Sequence, residues 1–374
     1  MMFVIIGTAS IIARHSSFYR RELAAAGNRE LALDGLRGLA ALMVVIHHAA
    51  LSGVWLATSH WGDARQYLWQ WFGPTGVMIF FMITGYLFWN RARIMKGKIN
   101  PWKLWRGRLY RIAPLYLFSV GIILLLALVQ VGTGWLTPEN WNPLLRLFAL
   151  GAMNWQTIGA MDFGDYNARV VWTLHYEWIF YLLLPFIAWL AVGRRILGVA
   201  VLFYALFFVS LGFNFNLPYY YSFFILGMLC PMFFEDEKLR TQLVCPRAAG
   251  LAMILTLLLL MISSPSHQAG AAEGAFFPVF FVAAAGNNFF GLLIHPAIRC
   301  LGAISFSLYL LHGIAFHLVF HFLKTSGWSG LSSFGIWPVL ILTAIMTTIF
   351  CAATYRWIEF PFISRGHIAP AKIS

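Results

Sequence analysis

Apolar residues along the chain fall in blocks of about 20, separated by short polar or basic stretches. A block of that length crosses the hydrocarbon core of a bilayer as an α-helix. Apolar windows and helix breakers predict ten such helices. They begin near Gly38, Gly73, Ile112, Trp172, Ile196, Tyr219, Ala249, Ala275, Cys300 and Phe334. The pattern therefore predicts an all-α, polytopic membrane protein with about ten transmembrane helices.

The composition excludes most other classes of protein. Hydrophobic residues make up 60% of the 374 residues and charged residues only 10%, whereas a globular chain carries about 25% charged residues. So few charges cannot cover the surface of a soluble protein of this size. Soluble folds, disordered chains, collagens and nucleic-acid readers are therefore excluded, and no nucleic-acid partner is expected.

The distribution of basic residues predicts the orientation of the chain in the membrane. Ten crossings place both termini on one side. With that side cytoplasmic, the outer loops contain only Arg65, Arg146, Arg169 and Lys324 of the 26 Lys and Arg residues. An excess of basic residues in cytoplasmic loops is the positive-inside rule, which accounts for the net charge of +13.

We expect three segments along the chain. Residues 1–29 form a cytoplasmic or interfacial N-terminal segment, because their apolar start is too short to span a bilayer. Residues 30–365 form the transmembrane domain, and residues 366–374 form a cytoplasmic tail. No soluble domain is expected, and the four cysteines lack metal-site spacing, so no metal site is predicted.

Arg37 and His48 are the first polar pair inside an apolar block. Eleven residues return to within roughly 20° of the same helix face and rise by about 16 Å. One stripe of the first helix therefore carries a cation near the inner surface and an imidazole near the membrane centre. The spacing also fits an arginine that reaches lipid headgroups and a histidine bonded to a neighbouring helix.

Glu177 is a carboxylate predicted to lie well inside the fourth helix, whereas Asp34 and Glu359 are placed at inner helix ends. Ionisable groups within the bilayer are costly and are candidates for function. By depth, Glu177 and His48 could meet near the membrane centre if their helices pack together. His175 is on another face and is interpreted as structural.

Two further groups of polar residues lie at helical spacing. Arg108 and Arg111 are three residues apart at the inner surface and could clamp a phosphate, although contact with lipid headgroups fits equally well. Ser305, Tyr309 and His312 share one region of the ninth helix. Polar residues at such spacing can also join helices to each other.

The motifs together resemble the acyltransferase family 3 integral membrane proteins. Arg37 and His48 match the family's Arg-ten-residue-His signature, within DGLRGLA. In the family's order follow GPTGVMIFFMITGYLF, the paired arginines of RLYRIAPLY, WTLHYEWIFYLLLP, FFILGML, SFSLYLLH and YRWIEFPF. The resemblance covers roughly residues 30 to 365 and is closest to members that lack an SGNH esterase-like domain.

The resemblance implies an O-acyltransferase of the bacterial inner membrane, with no tightly bound cofactor. Such an enzyme moves an acyl group, commonly acetyl, from cytoplasmic acyl-coenzyme A to a hydroxyl of a cell-envelope glycan, lipid-linked sugar or similar acceptor. His48, Glu177 and Arg37 are the expected catalytic residues, and Arg37, Arg108 and Arg111 the expected donor-binding residues. The residues expected to contact the acceptor are Trp172, Ser305, Tyr309 and His312.

Two other functions fit the composition. A transporter or proton-coupled carrier could use the buried Arg, His and Glu side chains, although the chain shows no repeated halves and its paired arginines face inward. A membrane sensor or scaffold without turnover is a third reading, but such a protein has no need of the buried Arg, His and Glu side chains, which are costly in free energy inside the bilayer.

Overall fold

The computed structural model describes residues 1–25, 31–58, 71–153, 157–158, 161–191, 217–262, 274–327 and 336–366. This part of the chain is mostly helical. The chain divides into two compact units, the first Met1–Ile99 with Leu183–Ser305 and the second Asn100–Leu182 with Phe306–Ser374. Each unit is described by itself below.

The first unit is built from helices. Its elements are α1 Met2–His15, α2 Ser17–Ala25, α3 Leu31–Thr58, α4 Phe72–Ile94, the end of α7 Trp172–Ala191, α8 Leu217–Phe233, α9 Glu237–Val244, α10 Pro246–Ile262, α11 Phe277–Ala284 and α12 Pro296–Ala303. Its packing centres on α3 and α4, with α8 against α4 and α12 against α3.

At two glycines, the backbones of α4 and α8 come into contact. A Cβ placed on Gly85 of α4 would lie 2.1 Å from the Phe224 carbonyl oxygen, and one on Gly227 of α8 would lie 2.0 Å from the Met82 carbonyl oxygen. Small residues allow such approach where helices pack without a hydrophobic driving force between them. Gly302 of α12 packs in the same way on the backbone of Asp34 in α3.

The N-terminal segment is an integral part of the first unit. Ile5, Ala9 and Ala13 of α1 are buried, and α1 packs against α12. Arg299 of α12 also donates to the Leu23 carbonyl at 2.6 Å. Phe3, on the other hand, is 81% exposed. The segment predicted to be cytoplasmic or interfacial thus contains a helix that packs through buried small residues on a tertiary partner.

The second unit contains longer helices and a small hairpin. Its elements are α5 Pro101–Val131, a 3₁₀ turn Pro138–Asn140, α6 Trp141–Leu147, β1 Thr157–Ile158, β2 Met161–Asp162, a 3₁₀ turn Phe163–Asn167, the start of α7, α13 Ser305–Thr325 (whose first residue belongs to the first unit), α14 Ile336–Thr354, a π-helical turn Tyr355–Glu359 and α15 Phe360–Gly366. The strands β1 and β2 are antiparallel.

The basic segment between the second and third predicted helices is largely helical. After α4, Lys96 and Gly97 turn the chain with positive φ. The Asn100 side chain then caps α5 by accepting from the Lys103 amide at 3.1 Å. Because α5 begins at Pro101, Arg108 and Arg111 lie within its first three turns and on one continuous helix.

In the second unit, the last described helix packs on α5. The π-helical turn and α15 both contact α5. The 3₁₀ turn Phe163–Asn167 meets α13 at Gly313, where a Cβ would lie 2.3 Å from the Asn167 carbonyl carbon. Polar side chains of α5, α13 and the π-helical turn meet at Glu359, which contacts both Arg111 and Ser307.

Five of the predicted transmembrane helices are long and apolar enough to cross a membrane in the described part of the chain: Leu31–Gly53, Phe72–Ile94, Pro101–Val131, Ser305–Thr325 and Ile336–Gly366. A sixth is possible if α9 and α10, bent by 77°, form one span. Apolar side chains such as Leu125 and Leu342 are at least 60% exposed on these helices, as expected of surfaces that face lipid.

The remaining predicted helices have different outcomes. The helix predicted near Trp172 is α7, and that near Tyr219 is α8, a shorter apolar helix. The helix predicted near Ala275 is described over only eight residues. The helix predicted near Ile196, the Phe334 start and the tail beyond residue 366 lie outside the described residues. The structure therefore shows a multi-helical protein, and the number ten remains a prediction.

Candidate functional site

Arg37 and His48 lie on the single continuous helix α3, so the predicted face and the rise of about 16 Å between them apply. The Arg37 Nη1 atom lies 3.3 Å from Asp34 Oδ1 one turn earlier. Both side chains are partly exposed, at 26% and 37%. A carboxylate therefore accompanies the cation at this end of the helix.

The hydrogen bond of His48 fixes which ring nitrogen can act as a base. His48 Nδ1 lies 3.1 Å from the Val44 carbonyl oxygen. A carbonyl only accepts, so Nδ1 carries the hydrogen in the neutral ring and the basic lone pair is on Nε2. His48 is half-buried, and the Ser52 hydroxyl donates to its backbone carbonyl at 2.7 Å.

His47 faces a different neighbour from His48. Its ring packs on the start of α4, where a Cβ placed on Gly73 would be 2.5 Å from His47 Cδ2. The two histidine rings meet edge to face, with centroids 4.9 Å apart. His47 therefore occupies the contact between α3 and α4, which is a packing position.

Glu177 and Arg108 are joined through one tyrosine in the second unit. The Tyr181 hydroxyl donates to Glu177 Oε2 at 2.7 Å, and the Arg108 guanidinium lies 5.6 Å from the centre of the Tyr181 ring. The Trp105 indole also donates to the Tyr181 carbonyl at 2.9 Å. A predicted catalytic residue and a predicted donor-binding residue are thus brought together on α5 and α7.

Arg111 contacts a different carboxylate. Its Nη1 atom lies 3.3 Å from Glu359 Oε2, and its guanidinium lies 5.6 Å from the centre of the Phe306 ring. On the same helix, Arg108 therefore contacts Tyr181 and Arg111 contacts Glu359. The Glu359 side chain is fully buried, although the sequence placed it at an inner helix end.

The residues expected to contact the acceptor have separate surroundings. The Tyr309 hydroxyl donates to the Val170 carbonyl at 2.8 Å and is 2.8 Å from the Thr173 hydroxyl. His312 is fully buried, with Nδ1 donating to the Leu308 carbonyl at 2.7 Å. The observed bonds of Tyr309 join α13 to the start of α7.

Trp172 and Ser305 lie at helix starts. The Trp172 ring packs edge to face on Tyr176, with centroids 5.7 Å apart. The Ser305 hydroxyl is buried and has no hydrogen-bond partner among the described residues. His175, interpreted as structural, has Nδ1 2.6 Å from the Ala152 carbonyl oxygen, which fits that interpretation.

The segment before α7 has its own ion pairs. Arg169 Nη2 lies 2.5 Å from Asp162 Oδ2 and 2.9 Å from Asp165 Oδ1. Partial removal from water raises the pKa of Asp165, and the nearby Arg169 charge opposes this shift. These ion pairs hold together a local turn in which Ala168 and Arg169 adopt the left-handed backbone conformation.

The sequence analysis did not predict two residues that contact the expected site residues: Tyr181, which contacts Glu177 and Arg108, and Glu359, which contacts Arg111. The spacing of Tyr181, four residues after Glu177, is a signal that the two side chains lie on one helix face. Glu359 lies in the YRWIEFPF motif, but no spacing indicated its burial, because that burial depends on a π-helical turn and on partners far away in the sequence.

Comparisons with known proteins give one family. A family model described as an acyltransferase domain matches residues 30–356. The protein named "Putative membrane-bound transacylase BcsY" of Komagataeibacter xylinus is 33% identical over 108 residues, which are 29% of this chain and 22% of that relative. No solved structure matches the chain. The family match includes Arg37, His48, Arg108, Arg111 and Glu177.

Proposed function

The chain belongs to this acyltransferase family, and from that membership we propose that it is an acyl-coenzyme A-dependent O-acyltransferase of the bacterial inner membrane. The acyl group is acetyl, and the acceptor is a hydroxyl of a cell-envelope glycan, a lipid-linked sugar or a similar molecule. The single observation that carries the mechanism is the His48 ring, whose Nδ1 donates to Val44 and whose Nε2 is the basic atom.

Cationic side chains suit an anionic donor. Coenzyme A carries phosphates at one end, and a phosphate cannot enter hydrocarbon without a compensating charge. Arg37, Arg108 and Arg111 supply guanidinium groups that bind phosphate oxygens. In this proposal they bind phosphates at the nucleotide end of the donor.

His48 Nε2 is the proposed base. It accepts the proton of the acceptor hydroxyl while the hydroxyl oxygen forms a bond to the thioester carbonyl carbon. The carbon–sulfur bond then breaks, and coenzyme A leaves as a thiol after taking up that proton. A route in which Nε2 first takes the acyl group uses the same atom. Imidazole suits either route because its pKa lies near neutral pH.

Glu177 is the second proposed catalytic residue. Its carboxylate is oriented by the Tyr181 hydroxyl, which fixes where the negative charge lies. In histidine-dependent acyl transfers, a fixed carboxylate stabilises the imidazolium that forms during the reaction.

Purified protein with radiolabelled acetyl-coenzyme A tests the function. We expect His48→Ala to lower thioester cleavage or transfer of label by about 100-fold or more. We expect His47→Ala to remain active, because that ring packs between α3 and α4.

Full activity in folded His48→Ala protein would contradict the role of His48. If the wild-type protein instead moved an intact solute into vesicles without transferring label, the carrier function would replace this proposal. Label retained on wild-type protein but not on His48→Ala would favour the acyl-histidine route over direct attack.

A further inference from the structure

We propose that Glu359 is a positioning residue, which holds the Arg111 guanidinium where it binds a phosphate of the acyl donor. This inference rests on the proposed function. It adds a residue just beyond the part of the chain that the family model matches. The evidence comes from the burial of Glu359, its contacts and the form of the helix that carries it.

Glu359 is a fully buried carboxylate with a built set of partners. Its side chain is 0% exposed, whereas that of Arg111 is 23% exposed. Glu359 Oε2 lies 3.3 Å from Arg111 Nη1, and Oε1 accepts from the Ser307 hydroxyl. The Thr354 hydroxyl donates to Ser307 Oγ at 3.0 Å. The Ser307 hydroxyl, itself held by Thr354, thus fixes one carboxylate oxygen, and Arg111 lies against the other.

The local helix form points to the same residue. Tyr355–Glu359 is a π-helical turn between α14 and α15. Single π turns inside helices are uncommon and often occur at functional sites. An extra residue in the turn rotates the positions that follow it, so Glu359 can be buried facing α5 instead of following the regular helix face.

The charge balance explains why the pair suits phosphate binding. A buried carboxylate without a cation is strongly unfavourable, so Glu359 keeps Arg111 at this position. Glu359 Oε2 has no well-aligned hydrogen bond among the described residues, so the pair is an ion contact and not a two-bond fork. An arginine held through one Nη keeps donors on its outer edge for phosphate oxygens.

Arg108 offers a matched comparison on the same helix. It lies one turn before Arg111, and its guanidinium lies over the Tyr181 ring, whereas Arg111 is the arginine that lies 3.3 Å from Glu359. If Glu359 acts through Arg111, the effect of removing Glu359 on the donor KM must depend on the presence of Arg111 and not on that of Arg108. A double-mutant cycle measures that dependence directly.

The test compares Glu359→Gln, Arg111→Ala and their combination for KM of acetyl-coenzyme A and for kcat. We expect Glu359→Gln to raise the donor KM roughly tenfold in the wild-type background and to have little further effect in Arg111→Ala protein. In Arg108→Ala protein, the same Glu359→Gln change should again raise the donor KM roughly tenfold. kcat at saturating donor and the KM for the acceptor should change much less.

Ser307→Ala provides a milder variant if Glu359→Gln does not fold. It removes one donor to the carboxylate without changing any charge, and we expect a smaller rise of donor KM that also vanishes in Arg111→Ala protein. An equal rise in the presence and absence of Arg111 overturns the positioning role. Because wild-type transfer is measured alongside, failure of this inference is distinct from absence of acyl transfer altogether, which would refute the proposed function.

Discussion

Tyr181 and Thr347 illustrate two ways in which a polar side chain is accommodated inside an apolar helix. The Thr347 hydroxyl donates to the Thr343 carbonyl one turn earlier, at 2.7 Å. The Tyr181 hydroxyl donates to the Glu177 carboxylate, and the Tyr181 ring lies under Arg108 of another helix. The first arrangement only satisfies the hydroxyl, whereas the second orients a charge. Residues of the second kind are the better candidates for function.

At this scale we expect Tyr181→Phe to lower kcat about tenfold, because Glu177 loses a hydrogen bond of the charged type. Initial rates of label transfer at saturating acetyl-coenzyme A measure this effect. Tyr116→Phe is the matched control. Its hydroxyl is also buried and donates to the Leu147 carbonyl at 2.8 Å. It should lower stability by about 1 kcal/mol and leave kcat unchanged. Equal kcat values for the two variants would remove Tyr181 from the site.

At the scale of helices, the close packing of α4 on α8 depends on glycine in both partners. Each glycine faces a backbone carbonyl of the other helix at about 2 Å from where a Cβ would be. Backbone atoms cannot rotate away as a side chain does. An added methyl group must therefore separate the two helices.

We accordingly expect Gly85→Ala to destabilise the protein by about 3 kcal/mol through overpacking. The midpoint of thermal unfolding in detergent measures the change. Gly250→Ala on α10 is the control, because nothing lies within 4 Å of an added Cβ there. Alanine is also the better helix former, by about 1 kcal/mol in water. An unfolding midpoint for Gly85→Ala that matches that of Gly250→Ala would contradict the packing argument.

At the scale of the whole molecule, the orientation in the membrane rests on charge. The segment that joins α4 to α5 is basic, and α5 itself is 31 residues long, about 46 Å at 1.5 Å per residue. It is long enough to cross the bilayer and to extend beyond the hydrocarbon. If α5 crosses the membrane, the residues that precede it and those that follow it lie on opposite sides of the bilayer.

Single cysteines at Lys98 and Glu139 test this topology. Both positions are exposed, and Cys245→Ser removes the one native cysteine that is not buried. We expect a membrane-impermeant maleimide to label Glu139→Cys in intact cells. It should label Lys98→Cys only in inverted vesicles, because basic loops stay cytoplasmic. Labelling of both positions from the same side would show that α5 does not cross.

The sequence alone determined the class of protein, the family and the helix that carries Arg37 and His48. These conclusions depend on local properties: apolar blocks of bilayer length, and a spacing that a continuous helix converts into one face. It also placed Arg108 and Arg111 on one helix turn. Such features need no knowledge of which helices are neighbours.

The tertiary structure alone decided the partners. It paired Arg111 with Glu359 and Arg108 with Tyr181, although the sequence grouped the two arginines as one clamp. It buried Glu359, which the sequence left at an inner helix end, by means of a π-helical turn. It also packed α1 on α12. A partner in a membrane protein is chosen by which helix faces meet, and that choice involves residues hundreds of positions apart, which periodicity along one helix cannot reveal.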